Sequence, residues 1–137
     1  MNFSNYSDVT GFDLDGVLVA DLMFYEPVEK YLHNRSLMNA LFVPKKPYVI
    51  ITGRPYTDTA YTIDWALREL KENPPIKIFH GNQDINRAHL YKADMINQYG
   101  IERFVESDLT QVEYLRLATK AKIYHFKELV SHALYGL

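Results

Sequence analysis

The sequence predicts an α/β fold: one domain, spanning residues 1–137, with a five-stranded parallel sheet between two helical layers. Three observations carry this. Strand-like and helix-like segments alternate five times, the pattern of parallel sheets built from crossover units. The run Tyr48-Val49-Ile50-Ile51-Thr52 is apolar and largely β-branched, as a central strand buried on both faces must be. Polar residues with chemical capacity fall where strands end: Asp13 and Asp15 after the first, Thr52 after the second, Glu106 and Asp108 after the fourth. Ligand sites of such sheets lie beyond those carboxyl ends, where the strand order reverses.

In order, residues 9–14 read as a short buried strand and 21–27 as a loop beside its end. A helix is predicted over 26–41, with Val28, Leu32, Leu37 and Leu41 on its inner face. Pro44 and Pro47 interrupt the chain around Lys45-Lys46. After the strand 48–52, Gly53-Arg54-Pro55 is expected to end it and start a helix with Pro55 near its first turn. Ala60, Ile63, Ala66, Leu67 and Leu70 have helical spacing, and Pro74-Pro75 stops that helix. A third strand is predicted over 76–80, a loop over 81–84, and a helix over 87–99 that Gly100 caps. The fourth strand, 103–106, leads to a helix with a Thr110/Glu113 capping box and Val112, Leu115 and Ala118 inward. A fifth strand (121–125) and a last helix (127–134) complete the pattern.

Composition narrows the function classes. Hydrophobic residues make up 47% and charged residues 23% of the 137, an ordinary globular balance with length enough for one core. A net charge of −2 offers no field that attracts polyanions, and the basic residues are scattered, which argues against non-specific nucleic-acid binding. Without cysteine there are no disulfides and no thiolate metal sites. Residues 1–5 lack the blocks of a signal peptide, and no apolar run reaches membrane-spanning length. A cytoplasmic protein with no membrane partner is the expectation. The eleven tyrosines fit packing at the rim of the core.

The stretch Asp13-Leu14-Asp15-Gly16 organises the rest. Residues two apart on a strand project the same way, so both carboxylates can share one site, and they repel unless a cation or proton intervenes. Alone, the pattern is as well explained by a turn. With Thr52-Gly53, Lys92 and the acids at 106 and 108, it suggests phosphoryl transfer through a carboxylate nucleophile. Mg²⁺ would allow the anions to approach, and a hydroxyl, an amide and a lysine would hold the transferring oxygens.

These motifs resemble the haloacid dehalogenase superfamily of phosphohydrolases. Asp13-Leu14-Asp15-Gly16-Val17-Leu18 is similar to its first motif, Ile51-Thr52-Gly53-Arg54-Pro55 to its second, Lys92 to its third, and Val105-Glu106-Ser107-Asp108 occupies the place of its fourth. The resemblance implies a Rossmann-like three-layer sandwich and a phosphatase. Asp13 would be the nucleophile and Asp15 the general acid and base. Lys92 and Thr52 would grip the phosphoryl group, with Gly53 offering its amide and Arg54 a substrate contact. Mg²⁺ would be held by Asp13, by Asp15 through its backbone carbonyl, and by Glu106 or Asp108, with Glu106 favoured. The serine between those two acids departs from the family's commonest pattern. The stretches between Asp15 and Thr52 and between His80 and Lys92 are too short for a cap domain, so the expected site is open and suits a bulky phosphorylated substrate. Residues 21–27 and 81–86 are the candidate specificity loops. Thr110-Gln111-Val112 is similar to a segment of the polynucleotide 3'-phosphatase branch, which makes a polynucleotide or nucleotide phosphatase one alternative. A non-catalytic binding module on the same fold is another.

Overall fold

The computed structural model describes residues 8–81 and 84–135. The strands are β1 (Thr10–Phe12), β2 (Tyr48–Pro55), β3 (Ile78–Gly81), β4 (Arg103–Glu106) and β5 (Lys122–His125). The helices are α1 (Val28–Ser36), α2 (Thr59–Glu69), α3 (Ala88–Tyr99), α4 (Leu109–Ala118) and α5 (Phe126–Tyr135). All strand pairs are parallel, in the order β3-β2-β1-β4-β5. The predicted α/β sandwich is the observed architecture, and among the described residues no second domain covers the sheet. Nor is any described helix long and apolar enough to cross a membrane.

The sheet is apolar on both faces because successive side chains alternate sides. Val49, Ile51 and Phe104 pack with Ala93, Ile96, Val112 and Leu115 of α3 and α4. Tyr48, Ile50, Phe12 and Val105 pack on the other side with Trp65, Ala66 and Leu70, and with Phe126 and Leu129 of α5. Burial lifts the Tyr48 hydroxyl to about 12.

Several elements depart from the sequence expectation. The helix predicted over 26–41 is confined to α1, and Val28, Leu37 and Leu41 are exposed rather than inward. Its end is set by tertiary hydrogen bonds: Leu41 N–H donates to Leu18 O (2.7 Å) and Ala40 N–H to Glu69 Oε1 (2.7 Å), which draws the chain away from a helical path. Strand β2 does not stop at Gly53. It runs to Pro55 with an irregular register between Thr52 and Pro55, and a 3-10 turn, Tyr56–Asp58, precedes α2. Thr62, Trp65 and Ala66 are the buried face of α2, while Ile63 and Leu67 are exposed. The Trp65 indole sets this rotation by donating to Met38 O at 2.7 Å. The capping box at Thr110 is absent; Asp108 is the N-cap and accepts from Gln111 N–H. Gly100 caps α3 with φ 66°, as expected. Residues 1–5, and Asn82 and Gln83 of the second candidate loop, lie outside the described residues.

Candidate active site

Strand order reverses between β1 and β4, and the residues that follow these two central strands form the floor of the site. Asp13 extends the ladder, its N–H donating to Val105 O at 2.9 Å. The chain then turns: Val17 N–H and Leu18 N–H both donate to Leu14 O. Gly16 sits in this turn at φ 85°, a left-handed angle that glycine adopts freely. A Cβ there would also collide with the Ser107 hydroxyl. Gly16→Ala is therefore expected to destabilise the protein by about 1–3 kcal/mol, measured by urea denaturation; a neutral result would mean that the turn relaxes without cost.

Asp13 Oδ1 accepts from Leu14 N–H (2.8 Å), while Oδ2 lies 3.3 Å from Lys92 Nζ. Lys92, on the inner face of α3, is 2% exposed. Its ammonium also donates to Glu106 Oε1 at 2.7 Å and to Gln111 Oε1 at 2.8 Å. Glu106, 1% exposed, accepts from the Ser107 and Asp108 amides through Oε2, at 3.0 and 3.1 Å. Burial pushes the Asp13 carboxyl well above the ordinary carboxylate value; Lys92 opposes this, and the negative Glu106 and Asp15 add to it. Burial works against the charge on Lys92, but Asp13 and Glu106 outweigh it and hold its pKa above the ordinary value. The lysine reaches this position because α3 lies very close to β2. A Cβ at Gly53 would be 2.8 Å from the Cβ of Ala88.

Opposite this cluster, buried Thr52 accepts from Arg54 N–H at 3.1 Å, which leaves the hydroxyl proton for another acceptor. Arg54 is buried and holds Asp15 with two hydrogen bonds, Nε to Oδ2 at 2.8 Å and Nη2 to Oδ1 at 2.6 Å. Its Nη1 donates to Thr62 at 3.1 Å, which accounts for a threonine on the buried face of α2. This planar two-point pairing fixes the orientation of the Asp15 carboxylate.

The loop after β4 is tied down from two sides. Ser107 Oγ donates to Asp15 O at 3.3 Å. His125 lies behind it: Lys127 N–H donates to Nδ1 (3.2 Å), so Nε2 carries the proton and donates to Ser107 O (2.9 Å).

Together these residues line an open cleft of about 310 Å³, at the small end of the range for ligand sites. Asp13, Asp15, Thr52, Gly53, Arg54, Lys92, Glu106 and Asp108 all contribute to it. Larger hollows, of about 700 and 610 Å³, lie toward the amino ends of the strands and contain none of these residues. The lining of the cleft includes three charged or amide side chains that sequence reasoning did not assign to the site: Asp21, Arg35 and Gln111. Asp21 belongs to a segment flagged as a specificity loop; burial and the nearby Asp15 raise its carboxyl. Gln111 lies in the Thr-Gln-Val segment, a weak signal. Nothing in the sequence singles out Arg35.

The donors around the cleft are oxygens, the ligand type that a hard cation such as Mg²⁺ takes. Among the described residues, however, no three acidic or histidine side chains gather closely enough to hold a metal by themselves. The reason lies in their other partners. Glu106 is committed to Lys92 and two amides, and Asp15 to Arg54. Asp108, exposed, uses Oδ1 as the cap of α4. The favoured metal acid of the sequence expectation, Glu106, is thus the anchor of Lys92, and Asp108 is the freer of the pair. The chain matches no protein-family model, and no curated protein is significantly similar to it.

Proposed function

We propose that the protein is a Mg²⁺-dependent phosphomonoester hydrolase of the haloacid dehalogenase kind, acting through an aspartyl-phosphate at Asp13. The observation that carries this reading is the convergence of Asp13, Asp15, Thr52 and Lys92 on one cleft at the point where strand order reverses. We place its action in the cytoplasm, in keeping with the absence of cysteine.

In the first half-reaction the Asp13 carboxylate attacks phosphorus as the bond to the ester oxygen breaks, and Asp15 protonates the departing oxygen. Arg54 must release one Asp15 oxygen for that transfer. Thr52 Oγ, the Gly53 amide and the Lys92 ammonium hold the transferring oxygens. In the second half-reaction water attacks phosphorus, gives a proton to Asp15, and frees Asp13 and inorganic phosphate. Asp13, the Asp15 carbonyl and Asp108 would hold Mg²⁺. When bound, that ion offsets the repulsion between the anionic nucleophile and the anionic ester.

The test is release of phosphate from p-nitrophenyl phosphate with millimolar Mg²⁺. The expected result is turnover that EDTA removes and Mg²⁺ restores. Hydrolysis indifferent to EDTA would overturn the metal assignment. The engagement of Glu106 and Asp15 by basic partners favours one other reading, a binding module on the same fold. Mg²⁺ binding in a calorimeter, with no turnover on a broad panel of sugar, nucleotide and 3'-phosphorylated oligonucleotide esters, would favour it.

A further inference from the structure

The three cations that line the cleft differ in what their donors have left to do. Lys92 Nζ has Asp13, Glu106 and Gln111 for its three protons. Every nitrogen of the Arg54 guanidinium is engaged, by Asp15 or by Thr62. Arg35 is different. Its Nη2 donates to Asp58 Oδ2 at 2.9 Å, but its Nε, shielded from solvent, has no acceptor among the described residues. Buried donors are nearly always satisfied, and leaving one unpaired is costly.

The setting sharpens the point. Arg35 is 6% exposed and is the buried residue of α1, while Val28 and Leu37 at the ends of that helix are exposed. A helix held in place only for packing would turn its apolar side inward. This one turns a guanidinium inward, against the ring of Tyr31 (5.4 Å to its centre) and onto the wall of the cleft. Burial works against its charge, and the hydrogen bond with Asp58, the nearby Asp15 and Asp58 carboxylates and a smaller contribution from the Tyr31 hydroxyl more than restore it, so the group stays a cation. A planar, permanently charged fork with a spare N–H is suited to a carboxylate or phosphate.

We propose that Arg35 is a specificity-determining residue that takes a second anionic group of the substrate, a carboxylate or a further phosphate, while Thr52, Gly53 and Lys92 hold the phosphoryl group that is transferred. This rests on the phosphatase reading above. The cleft of about 310 Å³ contains both ends, so the two anionic groups belong to one compact molecule.

Two readouts keep this apart from the phosphatase reading. The first is calorimetric binding, with Mg²⁺ present, of methylenediphosphonate and methylphosphonate. The wild type is expected to prefer the diphosphonate by about tenfold to a hundredfold, the worth of a charge-assisted hydrogen bond, and Arg35→Gln to lose most of that preference. Asp58→Asn breaks the same ion pair but keeps the guanidinium, and is expected to retain it. Arg35→Lys, which keeps the charge without the fork, serves if the glutamine variant does not fold, and should lose most of the preference. The second readout is the ratio of kcat/KM for compact esters bearing a carboxylate or a second phosphate to that for p-nitrophenyl phosphate. That ratio is expected to fall tenfold or more in Arg35→Gln, and the better of the two esters identifies the anion. Equal wild-type affinity for the two phosphonates, or an equal loss on both in the variant, overturns the proposal. Aryl phosphate turnover with no diphosphonate preference leaves the phosphatase reading standing alone. An Arg35-dependent preference with no turnover of any ester does the reverse.

Discussion

Replacing Asp13 with asparagine is expected to lower phosphate release by at least about a thousandfold and, in EDTA, to make the protein more stable. The two effects have one cause. Burial, reinforced by Glu106 and Asp15 and only partly opposed by Lys92, holds the Asp13 carboxyl well above its ordinary value. The folded protein therefore binds that proton more tightly than the unfolded chain. Its contribution to stability is present below the ordinary carboxylate value and is lost as pH rises through the raised one. At neutral pH, without metal, this buried carboxyl costs stability that asparagine would not, while asparagine keeps the acceptor for Leu14 N–H. The melting temperature in EDTA should rise by roughly 3 °C or more, and the gain should shrink toward acid pH. Added Mg²⁺ should stabilise the wild type and leave the variant nearly unmoved. Wild-type turnover in the variant would remove Asp13 as nucleophile; an unchanged melting temperature would remove the account of its burial.

Lys92→Met should cost about 3–5 kcal/mol, the usual consequence of removing one partner from a buried ion pair. Methionine fills much of the space but leaves Glu106 Oε1, Gln111 Oε1 and Asp13 Oδ2 facing one another without the ammonium between them. Activity should drop by about a hundredfold or more, since the transferring oxygens lose their positive neighbour. Adding Glu106→Gln to Lys92→Met should recover part of the stability, because it removes one of the stranded charges, and the double-mutant cycle should show coupling above about 1 kcal/mol. Urea denaturation in EDTA provides the numbers. A loss under about 1 kcal/mol with turnover intact would show that the ammonium is a bystander.

What the sequence revealed, it revealed through local chemistry. The run from Tyr48 to Ile51 is apolar at every position because each side of the strand meets a helix layer. Asp13, Thr52, Lys92 and Glu106 were legible because each lies at a strand end or on a helix leading to one. The misreadings involve partners distant in the chain. Thr62 rather than Ile63 faces inward because it accepts from Arg54, and Trp65 because it reaches Met38. Helix α1 is short because residues after it are captured by Leu18 and Glu69. Arg35 carries no signal in the sequence, since neither its contact with Asp58 nor its place on the cleft wall leaves a local signature.

The narrow gap between Gly53 and Ala88 has a longer reach than its size suggests. The methyl group absent at Gly53, facing the single methyl of Ala88, determines how far the lysine-bearing helix can lean toward the sheet. Enlarging either residue would wedge the layers apart and withdraw the ammonium from its carboxylates. Drift at these two positions should therefore be frozen in any lineage that keeps the chemistry, although neither contributes a side-chain functional group to it.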